Sequence, residues 1–172
     1  MAPIVRSRGI GFVPRALSVR LTKVTPKVTV PEKCNSLMKP ERLSEARNAL
    51  LNLHKALVDS ERVRYEKVVG EIKSSSHFLQ LLTGDPWFAW LHPLSQLIVS
   101  MDEAIDGKEP LTAAMVDTLL RQAKLLLVPR EKAPGFAGSY FDALQNDPAV
   151  VLAHADATKI VGRPKSAANR NN

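Results

Sequence analysis

From Pro40 onward, apolar residues return every three or four positions, the spacing that lays one stripe along an α-helix. Leu43, Ala46, Leu50, Leu53 and Leu57 open the longest run, and Tyr65, Val68 and Ile72 resume it. Pro40 suits a first helical position, where its missing N–H has no bond to lose. The pattern predicts one amphipathic helix over residues 40–69, closing near Gly70. "SSSHFLQLLTG" then reads as a short helix, with a serine cap, apolar Phe78, Leu81 and Leu82, and Gly84 as its stop.

The stretch "DPWFAWLHPLSQLIVSMDEAIDG", residues 85–107, reads as a single helix. Asp85 can accept from the first free N–H groups and Pro86 fits the next position. Trp87, Leu91, Leu94, Ile98, Met101 and Ile105 follow in steps of three and four, and Gly107 closes the run. Pro93 falls inside it, where a proline would delete the bond to the Ala89 carbonyl at a cost of about 3 kcal/mol. A kink at Pro93 is therefore expected, aiming Trp87 and Trp90 into the bundle. A fourth helix is expected from about Pro110 to Val128, on a stripe of Leu111, Met115, Leu119, Ala123 and Leu126. "SYFDALQN" gives a short helix after a loop, and "DPAVVLAHADATKIVG" a last one over 148–161.

No segment alternates with the period of a half-buried strand. The expected fold class is all-α: a helical bundle of four main helices plus short helices, with flexible basic N- and C-terminal tails. The expected division is a tail over 1–37, a bundle over 38–161 and a tail over 162–172. The 172 residues suit one domain, and no apolar run approaches the roughly 18 residues that span a bilayer.

Charge alters this picture less than the formal +7 suggests. Residues 1–34 hold seven basic side chains against Glu32 alone, and residues 159–172 hold four with no acid. Between them, residues 35–158 carry 13 basic and 16 acidic groups. Nucleic-acid contact is thus expected only weakly and only through the ends, where it would be salt-sensitive and non-specific. Three accounts of residues 1–37 stand side by side: a solvated tail, an upstream start ahead of a true beginning at Met38, and an organelle transit peptide. A cytoplasmic location follows from the first two, import from the third.

Candidate chemistry is sparse. Cys34 is the only cysteine, which excludes an internal disulfide framework and a CxxC metal knuckle. Around His54, His77, His92 and His154, no carboxylate or second histidine stands three residues before or four after, the spacing of bundle metal sites. No metal, cofactor or catalytic residue is therefore assigned. No GxSxG elbow and no phosphate-cradling glycine loop occurs. Asp102 and Asp106 stack at i, i+4, a repulsive spacing that suits a solvated face, a bound cation or an arginine partner. The candidate ligand or partner contacts are Trp87, Trp90, His54, Glu61, Tyr65 and His92. His54 suits a hydrogen-bonded place at the seam edge and His92 the helix surface.

Helix 1, "LLNLHKALVDSERVRYE", and the segment "LLTGDPWFAWLHPLSQLIVSMDEAID" resemble an uncharacterised bacterial all-helical protein family, over residues 43–160. The resemblance implies a cytoplasmic helical protein that starts near Met38, and brings no activity with it. Two functional expectations remain. One is a non-enzymatic helical interaction or scaffold domain, a homodimer or the binder of a protein partner, using an apolar edge around Trp90 and Phe88. The alternative is a small-molecule-binding bundle or atypical enzyme, with a pocket beside the Pro93 kink lined by Trp87, Trp90, Tyr65, His54 and Glu61.

Overall fold

Helix α1, Pro40–Val68, carries its apolar stripe as the sequence spacing dictates, and Leu43, Leu50, Leu53 and Leu57 lose all contact with water. Glu41 in its first turn and Lys67 in its last complement the helix dipole. The computed structural model describes residues 40–164, so the expectations for residues 1–37 and 165–172 lie outside the described residues. Helix α2 spans Ser75–Gly84, capped by Ser74, whose side chain accepts from the His77 N–H at 3.1 Å. Helices α3 (His92–Asp106), α4 (Ala113–Leu126), α5 (Phe136–Asn146) and α6 (Pro148–Gly162) complete the described chain. Among the described residues there is no strand, and no helix is long and apolar enough to cross a membrane. The all-α bundle is therefore as expected.

Helix α1 is the axis. It packs most extensively against α6 and next against α3, while α4 closes on α3 and α6. The core gathers the α1 leucines with Phe88, Leu91, Leu94, Met101, Val116, Tyr140, Val150 and Val161. Between α1 and α3, Arg47 forms an ion pair with Asp102, so that aspartate has the arginine partner its spacing allowed.

The expected kinked helix over 85–107 is not what forms. Residues 85–91 are a chain of tight turns ending in a 3₁₀ turn, Ala89–Leu91, and α3 begins only at His92. The Asp85 carboxylate accepts from the Trp87 N–H at 2.8 Å, and i→i+3 bonds follow from Phe88 to Asp85, Ala89 to Pro86 and Leu91 to Phe88. Pro93 thereby falls in the first turn of α3, where an N–H has no intrahelical partner to lose. The expected cost and the expected kink both vanish.

Two further corrections follow from packing. Helix α4 starts later than Pro110, because the Thr112 hydroxyl caps it by accepting from the Met115 N–H at 3.2 Å. Its buried stripe is Val116, Leu120, Ala123 and then Leu127: Ala123 is buried as expected, while Val116, Leu120 and Leu127 each lie one residue after the expected Met115, Leu119 and Leu126. Met115 turns outward and is 39 % exposed. The sequence LTAAMVDTLLRQAKLLLV holds two overlapping apolar stripes, and contact with α3 and α6 selects one. Helix α5 begins at Phe136, three residues before the expected start. Gly138, which reads locally as a loop residue, is buried in its first turn. A side chain there would collide with the Ala133 carbonyl oxygen.

These positions give sharp stability contrasts. Leu53→Ala should cost about 2–5 kcal/mol in urea denaturation, while Leu125→Ala, at a site 71 % exposed, should stay within about 0.5 kcal/mol. Pro93→Ala should change stability by less than about 1 kcal/mol; a gain near 3 kcal/mol would restore the kinked interior proline.

Candidate functional site

The turns over 85–91 scatter their aromatic side chains to different neighbours. Trp87 meets Tyr65 of α1 edge-on at 5.7 Å between ring centroids. Phe88 lies 5.5 Å from Tyr65 and 5.8 Å from Phe78 of α2. Arg64 sits over the Trp87 ring at 5.5 Å and Arg62 over Phe78 at 5.2 Å, both in cation–π range. Trp90 points to the other side, 5.6 Å from Phe136, which stacks on Tyr140 of α5 at 5.1 Å. Phe88 is fully buried, so the expected apolar edge around Trp90 and Phe88 is not a surface. The cause is the turn geometry, which folds Phe88 inward where a continuous helix would have placed it off the stripe.

Of the six candidate contacts, Tyr65 and Trp87 meet, while Trp90, His54 and His92 go to other neighbours. Glu61 is buried on α1, its carboxylate accepting from Arg64 at 3.2 Å, one turn from Tyr65 and beside the Trp87 ring cluster. The Trp87 indole N–H is buried with no hydrogen-bond partner among the described residues. Trp90 belongs to the α5 aromatics. His92 is exposed, with Nε2 3.3 Å from the Leu82 carbonyl. His54 faces α3, where its Nε2 lies 2.8 Å from the Ser95 hydroxyl. None of the six lines any of the five described surface cavities.

Ser95 was not singled out by sequence, since 41 residues separate it from His54. A serine–histidine contact invites comparison with a nucleophile and its base. Ser95 Oγ also contacts the Leu91 carbonyl at 3.3 Å, and the hydroxyl has one proton to give. Both contacts are satisfied when that proton goes to Leu91 and His54 Nε2–H donates to Ser95. His54 then acts as a donor and leaves the serine unactivated. The pair is a polar tie between α1 and α3, and burial lowers the His54 pKa.

A second tie joins α5 to α6. The buried Tyr140 hydroxyl donates to His154 Nδ1 at 2.6 Å. Burial raises the tyrosine pKa and lowers that of His154, so both partners are held neutral, the state the hydrogen bond requires. Among the described residues no three His, Cys, Asp or Glu side chains gather as metal ligands.

The surface offers more than the interior. Between α3 and α4 runs an open groove of about 480 Å³, lined by Ser100, Glu103, Ala104, Ala114, Met115, Thr118 and Leu119. At the end of the bundle where α1 begins, Arg42, Arg121, Lys124 and Arg163 line a smaller cup of about 290 Å³ with Asp117, Leu120 and Pro164. Sequence reasoning missed both: the groove depends on how two consecutive helices pack, and the cup joins residues that lie far apart in the chain. No protein family, curated protein or solved structure matches the chain.

Tyr140→Phe should cost about 1–2 kcal/mol in urea denaturation, since it leaves a half-buried imidazole nitrogen without its donor. A histidine pKa lowered by folding means that the unfolded chain binds more protons, so stability is full above pH 6.5 and falls as pH drops below it. The urea midpoint should therefore decrease between pH 7.5 and pH 5.5. The decrease should shrink in a His54→Gln/His154→Gln variant, and an undiminished decrease would assign it to other groups.

Proposed function

We propose that the chain is a non-enzymatic helical interaction module that pairs with a second copy of itself through the α3–α4 groove. The observation that carries this reading is the apolar floor of that groove. Ala104 and Ala114 keep its walls low, while Met115 stands 39 % exposed beside them and Leu119 lines the base. Val99, half exposed, lies one turn before Glu103 on α3. A hollow and a projecting methionine on one face are what a two-fold interface needs, because each copy supplies the knob for the other's recess. Methionine suits such contacts, being flexible and polarisable enough to fit an imperfect recess. Ser100, Glu103 and Thr118 give the groove a polar margin, as interface rims have.

The alternative of a ligand pocket beside Pro93 draws no support from this geometry. Of its five expected lining residues Tyr65 and Trp87 meet, but Trp90 turns to Phe136 and His54 to Ser95, and the kink that would have opened the pocket is absent.

The test is the mass of the full chain in solution, by sedimentation or native mass spectrometry. A concentration-dependent dimer is expected, and Met115→Glu should convert it to monomer while leaving the urea midpoint nearly unchanged. A monomer at high concentration, or a dimer indifferent to Met115→Glu, would overturn the reading.

A further inference from the structure

A thioether is apolar until a peroxide reaches it, and the two methionines among the described residues differ in that access. Met101 of α3 is fully buried in the core. Met115, in the first turn of α4, is 39 % exposed and lines the α3–α4 groove with Ala104, Ala114 and Leu119. Its backbone is held in place, because the Met115 N–H donates to the Thr112 hydroxyl that caps α4. The most accessible described sulfur therefore stands in the one groove to which self-association has been assigned.

Oxidation at that sulfur changes what the groove can accept. Hydrogen peroxide transfers one oxygen: its O–O bond breaks, the sulfur gains an S=O bond and gives up two electrons, and the other oxygen leaves as water. The product keeps the bulk of methionine but ends in a strongly dipolar acceptor. Few groups in the groove can satisfy it. Ser100 already donates its proton to the Gln96 carbonyl at 3.0 Å, and an ionised Glu103 can only accept. Ala104, Ala114 and Leu119 have no polar side-chain atom, which leaves Thr118 among the lining side chains with a proton to give. Burying an acceptor that lacks a donor opposes association.

We propose that Met115 is an oxidation site through which peroxide controls self-association, an inference that rests on the pairing of two copies through this groove. Each copy places its own methionine in the other's recess, so a fully oxidised pair carries the penalty twice. The same contact shields the thioether, so peroxide acts on the monomer and pairing slows the reaction. Reversal belongs to a thiol-dependent sulfoxide reductase, which releases the oxygen as water while two thiols are oxidised to a disulfide.

Sedimentation of the full chain before and after hydrogen peroxide treatment tests this, in a Cys34→Ser background that keeps the peroxide chemistry off the cysteine. Peptide mapping by mass spectrometry should find one added oxygen at Met115 and none at Met101, and circular dichroism should find the helices intact. The dissociation constant of the pair should rise about a hundredfold, about tenfold for each of its two sulfoxides. Met115→Leu keeps the volume and the apolar character and leaves every other methionine in place. That variant should pair as before and lose its response to peroxide. Raising the protein concentration through the dissociation constant should slow oxygen uptake at Met115 by at least about threefold. A treated chain that stays paired with Met115 oxidised, or a Met115→Leu chain that still dissociates in peroxide, would overturn the proposal and leave the pairing intact. An untreated chain that is monomeric at every concentration would remove the pairing itself, and this inference with it.

Discussion

Leu43, Ala46, Leu50, Leu53 and Leu57 make a strip about 21 Å long on one face of α1 that must be shielded along its whole length. No single short helix can do this. Helix α6 covers one flank and α3 the other, and α4 closes the gap between them. The polar ties sit at the margins of this arrangement. Arg47–Asp102 and His54–Ser95 fasten α3 to α1, Arg163–Glu45 fastens the end of α6, and Tyr140–His154 holds α5 on α6. They set which rotation each helix adopts, while the leucine strip supplies the reason to pack at all.

The segment 85–91 is where this scheme meets its hardest geometry. One short run must reach α1, α2 and α5, and an α-helix would present its aromatics on a single spiral. Successive i→i+3 turns instead send Phe88 and Trp87 toward Tyr65 and Phe78, and Trp90 toward Phe136. Trp87, Phe88 and Trp90 thus each pack against an aromatic side chain of another helix. The α3–α4 groove and the basic cup lie elsewhere on the surface.

How much of this was legible depends on how local each determinant is. Helix starts were readable at Ser74 and at Asp147–Pro148, because a cap acts within three residues of itself. The α1 strip was readable because its polar faces leave one apolar phase. Pro93 misled because a first-turn proline and an interior proline look alike unless the preceding break is known, and "WFAW" has helical spacing. Helix α4 misled because two apolar phases were equally good and only tertiary contact chooses between them. The groove and the cup were out of reach. Met115 and Ala104 meet across two helices, and Arg42, Arg121 and Arg163 come from three, so no spacing rule connects them.

The pairing of α1 with α6 also has a consequence in time. The Glu45–Arg163 contact spans 118 residues, so the last flank of the leucine strip is covered only when almost all of the described chain exists. At about 5–20 residues per second, a ribosome takes roughly 6–24 s to extend the chain from one partner to the other. Throughout that interval α1 can form but cannot be fully sheathed. The nascent chain therefore carries an exposed leucine stripe longer than most local helical hairpins would tolerate. Its safe folding depends on how quickly α3 arrives to cover half of that stripe before α6 is made.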